Sequence, residues 1–227
     1  MSATSYQIRE CNHCGLRYPL VDIGSQNLRC PSCLGLTQLI SKPQLIRGHN
    51  NLKRLKLKDQ RKAIVGVLDN IRSALNVGAI FRTADGLGLT HLYLCGITST
   101  PENPEVTKTG LDAQDSIGWS YHRNGVDLVK SIKAEGAGII VLEDNQRAIS
   151  IDEIKIEDLS YSTEVVLVVG NELTGVDTAI IDLANFCMHI PMLGIKHSLN
   201  VSVAFAIAAY VITSKINISS NPKLNKF

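Results

Sequence analysis

Four cysteines carry the most specific spacing in the chain. Cys11-x2-Cys14 and Cys30-x2-Cys33 are separated by fifteen residues, the arrangement in which two thiolate knuckles close a tetrahedron around zinc. Each pair sits in a turn-forming context, CNHCG and CPSCLG, where glycine and proline let the backbone fold round a metal. Two disulfides are the competing reading. The stretch MSATSYQIRECNHC, however, shows no basic segment followed by an apolar one, so no secretory signal is read there, and a reducing, cytoplasmic setting with bound Zn2+ is expected. His13 could compete as a ligand, but four thiolates already complete the shell. Cys95 and Cys187 stand alone in apolar runs and are read as small core hydrophobes.

Three polar clusters interrupt otherwise apolar sequence. They are Asn76-x-Gly78-x3-Arg82, Gly170-Asn171-Glu172 with Gly175, and IPMLGIKHSLNVSVA at 190–204. GNELTGV (170–176) has the glycine spacing of a phosphate-binding loop but places Val176 and Asp177 where Lys and Ser/Thr are required, which excludes an NTPase of that type. No G-x-G-x-x-G follows an apolar run, which argues against a dinucleotide site. Each cluster also has a plain structural reading: Asn76 as a helix N-cap, Arg82 as a solvated charge, Glu172 as a turn residue, Ser198 as the cap of the last helix. Asn200 is harder to explain away, because it opens an almost wholly apolar helix where an unpaired amide is costly.

The elements that must hold these clusters follow from periodicity. Short apolar runs at 63–68, 91–96, 138–143, 164–170 and 186–191 read as buried strands, and helical patterns fall near 76–88, 124–135, 177–185 and 199–214. Their alternation predicts an α/β fold with a mostly parallel sheet and helices on both faces, whose ligands bind beyond the carboxyl ends of strands. In the first helix Val77, Ile80, Phe81, Ala84 and Leu87 form an apolar stripe, while Gly78, Arg82 and Asp85 face the other way. Glycine inside a helix costs about 1 kcal/mol relative to alanine, so Gly78 marks a close approach by another backbone or a ligand.

The 227 residues, 44% hydrophobic and 19% charged, are ordinary for a globular protein and exclude a mainly disordered one. The charge is uneven. Residues 42–62 hold eight basic side chains against Asp59, a local +7, leaving −5 for the rest of a chain whose net charge is +2. Lys53, Arg54, Lys56, Lys58, Arg61 and Lys62 are candidate phosphate contacts there, or else a solvated linker. The most apolar stretch, VSVAFAIAAYVI (201–212), is shorter than the ~20 residues a bilayer requires and reads as a buried helix, so no membrane partner is expected. The domain plan is a zinc ribbon (1–40), a basic linker (41–62), a large domain (63–215) and a tail (216–227).

Taken in order, the three clusters resemble the motifs of the SpoU (TrmH-like) branch of the SPOUT RNA methyltransferases: NVGAIFRTADGLG its first, VVLVVGNELTGV its second, IPMLGIKHSLNVSVAFAIAAY its third. The likeness covers residues 63–215. It implies methylation of a ribose 2′-hydroxyl in structured tRNA or rRNA with S-adenosylmethionine, a C-terminal trefoil knot, and a homodimer whose active site draws on both subunits. Carried over by position, it assigns Asn76 and Arg82 to catalysis, with Arg82 nearest the ribose and also an RNA contact, and it implies that the close approach at Gly78 is RNA beside a partner subunit. Gly170, Asn171, Glu172, Ile190, Met192, Ser198, Leu199 and Asn200 fall in the loops that hold the cofactor. Glu172, Ser198 and Asn200 join the catalytic set, the first two orienting neighbours rather than reacting. Asp112, in KTGLDAQ, stands where relatives usually have glycine, a departure that bears on substrate preference where that loop touches RNA. An inactive zinc-ribbon RNA-binding or assembly protein and a methyltransferase acting on a base are the alternatives; an intact Asn76, Arg82 and Asn200 set speaks against the first, the arginine-centred first motif against the second.

Overall fold

The computed structural model of the protein describes residues 6–21, 28–42, 63–155, 157–159, 161 and 163–220. The chain divides into two units, Met1–Leu57 and Lys58–Phe227. Lys53, Arg54, Lys56, Lys58, Arg61 and Lys62 lie outside the described residues.

In the first unit β1 (Tyr6–Cys11) pairs antiparallel with both β2 (Arg17–Val21) and β3 (Thr37–Ser41), in the order β2-β1-β3. So small a sheet has little apolar interior. Its centre instead holds buried Arg9, whose guanidinium donates to Gln7 Oε1 (2.8 Å), Thr37 Oγ1 (2.8 Å) and the Thr37 carbonyl (2.7 Å). The buried thiols Cys11 and Cys30 complete the interior. Gly15 takes the left-handed conformation after the first knuckle, and Leu34 takes it after the second (φ 60°). The second knuckle thus places a side chain where glycine has the lower cost.

The second unit is built on a seven-stranded parallel sheet in the order β6-β5-β4-β9-β7-β10-β8, from β4 (Ala63–Asp69), β5 (His91–Cys95), β6 (Gly118–His122), β7 (Gly138–Leu142), β8 (Ala148–Ser150), β9 (Glu164–Val169) and β10 (Phe186–His189). Alternating side chains of β4 split between two cores. Ile64 and Leu68 pack with Val77, Ile80 and Phe81 of α1 (Ala74–Leu87), Val106 of α2 (Pro104–Gly110) and Phe205, Ala208 and Ile212 of α5 (Val201–Ser220). Val65 and Val67 pack on the opposite face with Leu128, Val129 and Ile132 of α3 (Gly125–Ala134) and Ile180 of α4 (Thr178–Leu183). Helices therefore cover both faces, as near-continuous apolar parallel strands require.

Two expectations change. Gly78 is buried, and a Cβ there would overlap Thr109 Oγ1 and the Val106 carbonyl oxygen. The close approach is that of α2 in the same chain rather than RNA. The apolar run 201–212 is helical but buried on one side only, since Val203, Ile207 and Tyr210 stay exposed. Asp112, with Leu111 before it, adopts positive φ (67° and 49°), a backbone conformation that glycine takes at lower cost.

Candidate functional site

Four strand ends, β4, β9, β7 and β10, lie side by side in the middle of the sheet, and the segments leaving them meet. Residues 170–176 after β9 form a tight turn in which Asn171 and Gly175 exchange both backbone bonds (3.0 and 2.9 Å). Gly170 is required there, because a Cβ would overlap the Gly175 carbonyl and the Val176 nitrogen. Asn171 ties the turn to the end of β4, donating Nδ2 to the Asn70 carbonyl (2.8 Å) and accepting at Oδ1 from Leu173 N–H (2.9 Å) and Thr174 N–H (3.3 Å). Buried Asp69 accepts from Asp177 N–H (3.1 Å), and half-buried Glu143 accepts from Val176 N–H (3.2 Å). The turn is thus gripped by a carboxylate from each neighbouring strand. Burial pushes both carboxyls above their ordinary range, Asp177 adding to this at Asp69 and Asp144 at Glu143.

Glu172 projects from this turn onto the start of α1. Its carboxylate accepts from Arg72 N–H (2.9 Å), Ser73 N–H (3.2 Å) and Asn76 Nδ2 (3.0 Å). Burial alone would raise its pKa, but those donors outweigh it and hold the carboxyl below 4.5. The N-cap of α1 is Ser73, with its hydroxyl accepting from Asn76 N–H (3.4 Å), which leaves the Asn76 amide free for the site. Asn76 Oδ1 accepts from Asn200 Nδ2 (3.0 Å), while Asn200 Oδ1 caps α5 by accepting from Ser202 N–H (2.9 Å) and Val203 N–H (3.4 Å). Asn200 rather than Ser198 caps the last helix. The chain Glu172–Asn76–Asn200 joins residues of all three sequence clusters in one network.

Next to that network is a cavity of about 550 Å3. Gly170, Asn171, Glu172, Ile190, Met192, Ser198, Leu199 and Asn200 all line it, so every residue expected to hold a cofactor lies on one surface. Sequence reasoning missed Glu143, Asp144, His189 and His197, which share the lining. Glu143 is the first polar residue after the buried run GIIVL, a position that does not by itself mark a site. His189 Nδ1 is buried without a partner among the described residues, so this wall offers an unused polar atom. Arg82 is not among the lining residues of its own chain; it is exposed on α1, a turn and a half beyond Asn76, with no hydrogen bond or ion pair to a described residue.

The thiols of Cys11, Cys14, Cys30 and Cys33 lie within 4.8 Å of one another, with Sγ separations of 3.5 Å for Cys11–Cys33 and 3.6 Å for Cys14–Cys30. A tetrahedron with 2.3 Å metal–sulfur bonds has edges of about 3.8 Å, so the four sulfurs fit zinc. None of the six cysteines is in a disulfide. The Cys14 N–H in particular draws the Cys11 thiol down to about 6 against its burial, and further bonds from His13 N–H and Cys33 help.

Residues 63–210 match the SpoU rRNA Methylase family. The chain belongs to that family. Within the SpoU family it is 32% identical over 167 residues to the tRNA (guanosine(18)-2′-O)-methyltransferase of Aquifex aeolicus (strain VF5), covering 70% of this chain and 74% of that protein. It is 30% identical over 173 residues to the 23S rRNA (guanosine(2553)-2′-O)-methyltransferase RlmP of Bacillus subtilis (strain 168), covering 74% and 64%. Among solved structures, the AdoMet-bound rRNA methyltransferase of Sinorhizobium meliloti superposes with a TM-score of 0.62 at 26% identity, covering 68% of this chain and 57% of that one. The matched SpoU region contains the whole cavity and α1, and leaves the four-cysteine unit outside it.

Proposed function

We propose that this chain transfers a methyl group from S-adenosylmethionine to a ribose 2′-hydroxyl of structured RNA, a tRNA or rRNA. The observation that carries the reading is the single cavity that gathers residues 170–173, 189, 190, 192 and 197–201 beside the Glu172–Asn76–Asn200 network. The named relatives support it, being 2′-O-methyltransferases of tRNA and rRNA. Ile190 and Leu199 offer apolar walls to an adenine, with backbone groups of Gly170 and the 190–199 segment for its ring nitrogens. Ser198 and Asn200 add polar groups to the same lining. When bound, S-adenosylmethionine supplies a sulfonium methyl already activated for displacement, so the protein's task is to align a ribose oxygen and handle its proton.

Arg82 stays charged throughout, since a guanidinium is not deprotonated in proteins. Its role is to hold the adjacent phosphate and to stabilise alkoxide charge as the hydroxyl proton leaves to a neighbour or to water. Its exposure away from its own chain's cavity supports a homodimer in which the arginine serves the other subunit. Val203, Ile207 and Tyr210, spaced three or four residues apart and exposed at 47%, 36% and 61%, supply an apolar stripe on α5 for that contact. A trefoil knot at the C-terminal end accords with β9 lying between β4 and β7, and with the long irregular segment from β10 to α5. Cys11, Cys14, Cys30 and Cys33 would hold Zn2+, fixing a module with almost no apolar core. No described helix is long and apolar enough to cross a membrane.

Nucleoside mass spectrometry of RNA from cells with and without this chain tests the reading. One 2′-O-methylnucleoside, at one tRNA or rRNA position, is expected to disappear. An unchanged set of 2′-O-methylnucleosides would overturn it and favour a non-catalytic role in RNA assembly.

A further inference from the structure

Glu143 has no place in the sequence motifs, yet it stands between the two segments that form the cavity. Its backbone N–H donates to the Met188 carbonyl (3.0 Å), at the strand leading into 189–200. Its side chain accepts from Val176 N–H (3.2 Å), at the end of the 170–176 turn. Gly175 makes room for it: a Cβ at that left-handed position (φ 74°) would come 2.6 Å from Glu143 Oε1 and 2.8 Å from Oε2. A carboxylate has about four acceptor sites and no donor, and one backbone N–H uses one of them. Glu143 also lines the cavity, so acceptor capacity remains there for a ligand. Burial already disfavours the charge on this group, so donors supplied by a ligand would be well matched there.

We propose that Glu143 recognises the 2′- and 3′-hydroxyls of the methyl donor's own ribose, as the central contact between its adenine and methionine ends. This rests on the reading of the cavity as a donor site. A nucleoside whose base lies against Ile190 and Leu199 and whose chain reaches toward Asn200 has its sugar in the middle, and Glu143 is the residue bonded to both cavity-forming segments. A pair of neighbouring hydroxyls is the donor arrangement a single carboxylate accepts best, as an acidic residue does for the ribose in dinucleotide folds. The neighbouring carboxylate of Asp144, also on the lining, strengthens the negative field and turns away phosphorylated sugars. The site therefore takes an unphosphorylated nucleoside.

Calorimetric binding of S-adenosylhomocysteine and its 2′-deoxy and 3′-deoxy analogues to the full chain tests this. The wild type is expected to bind each deoxy analogue at least about ten-fold more weakly, the value of a hydrogen bond to a charged group. In Glu143→Gln the parent compound weakens and the gap between it and the deoxy analogues closes to about two-fold. A purely structural role for Glu143 would weaken all three ligands equally and leave the gap intact, which would overturn the proposal. Equal binding of all three ligands by the wild type would overturn it without any variant. No binding of S-adenosylhomocysteine by the folded wild type would instead overturn the donor-site reading on which it rests.

Discussion

At Glu172 three donors converge on one exposed carboxylate, and its chemistry is spent on holding the 170–176 turn against the start of α1. Because the folded pKa lies below the ordinary 4.5, its stabilising effect is complete above that pH and is lost as pH falls through the folded value. Acid melts from about pH 5 to about pH 3 should therefore show wild type losing stability more steeply than Glu172→Gln; parallel curves would contradict the assignment. At Leu34 the backbone is left-handed and the side chain exposed, so Leu34→Gly is expected to stabilise the metal-loaded four-cysteine unit by up to about 1 kcal/mol in thermal melts. Single residues were legible in the sequence where their type had few uses. Asn200 could be singled out because an amide opening an apolar helix needs partners, and the structure supplies Asn76, Ser202 and Val203. Glu143 and Asp69 were not, because each ends an apolar run and becomes meaningful only when a turn 30 or more residues away reaches it (|i−j| of 33 and 108).

The helices and strands with strong periodicity formed within two residues of their expected bounds, β4, β5, β7, β9 and β10 as strands and α1, α3 and α4 as helices, while α5 runs to Ser220, six residues past its expected end. The edge strands β6 and β8 were missed. GWSYH and AIS are too short and too mixed to show a period, and they pair only because β5 and β10 offer open edges. Helix α2 was missed for a related reason, being seven residues long and held by its packing on α1 rather than by an apolar stripe of its own. That packing is testable through two glycines of one helix. Gly86→Ala meets nothing within 4 Å and should stabilise by about 0.5–1 kcal/mol through helix propensity. Gly78→Ala would overlap α2 and should destabilise by about 1–3 kcal/mol despite the same propensity gain. Equal shifts in the two melting temperatures would contradict the close α1–α2 contact.

For the whole molecule, the cavity belongs entirely to the Lys58–Phe227 unit and the thiol cluster to Met1–Leu57. With Zn2+ held by the four thiols, as proposed, chelation should thus unfold the smaller unit, read as protease cleavage within 6–42, while S-adenosylhomocysteine binding persists. Arg82 is not among the lining residues of its own chain's cavity, so in the proposed homodimer Arg82→Ala and Asn200→Ala proteins, each inactive, should regain about a quarter of wild-type activity when mixed and allowed to exchange subunits, because half of such dimers would carry one intact composite site. No recovery would place both residues in one subunit's site. The most direct measurement is transfer of labelled methyl from S-adenosylmethionine by the purified full chain to RNA from cells lacking it, followed by digestion to nucleosides. The label is expected in a 2′-O-methylnucleoside and absent with Asn200→Ala. Label on a base, or RNA that stays unlabelled while the folded protein binds S-adenosylmethionine, would contradict ribose methylation.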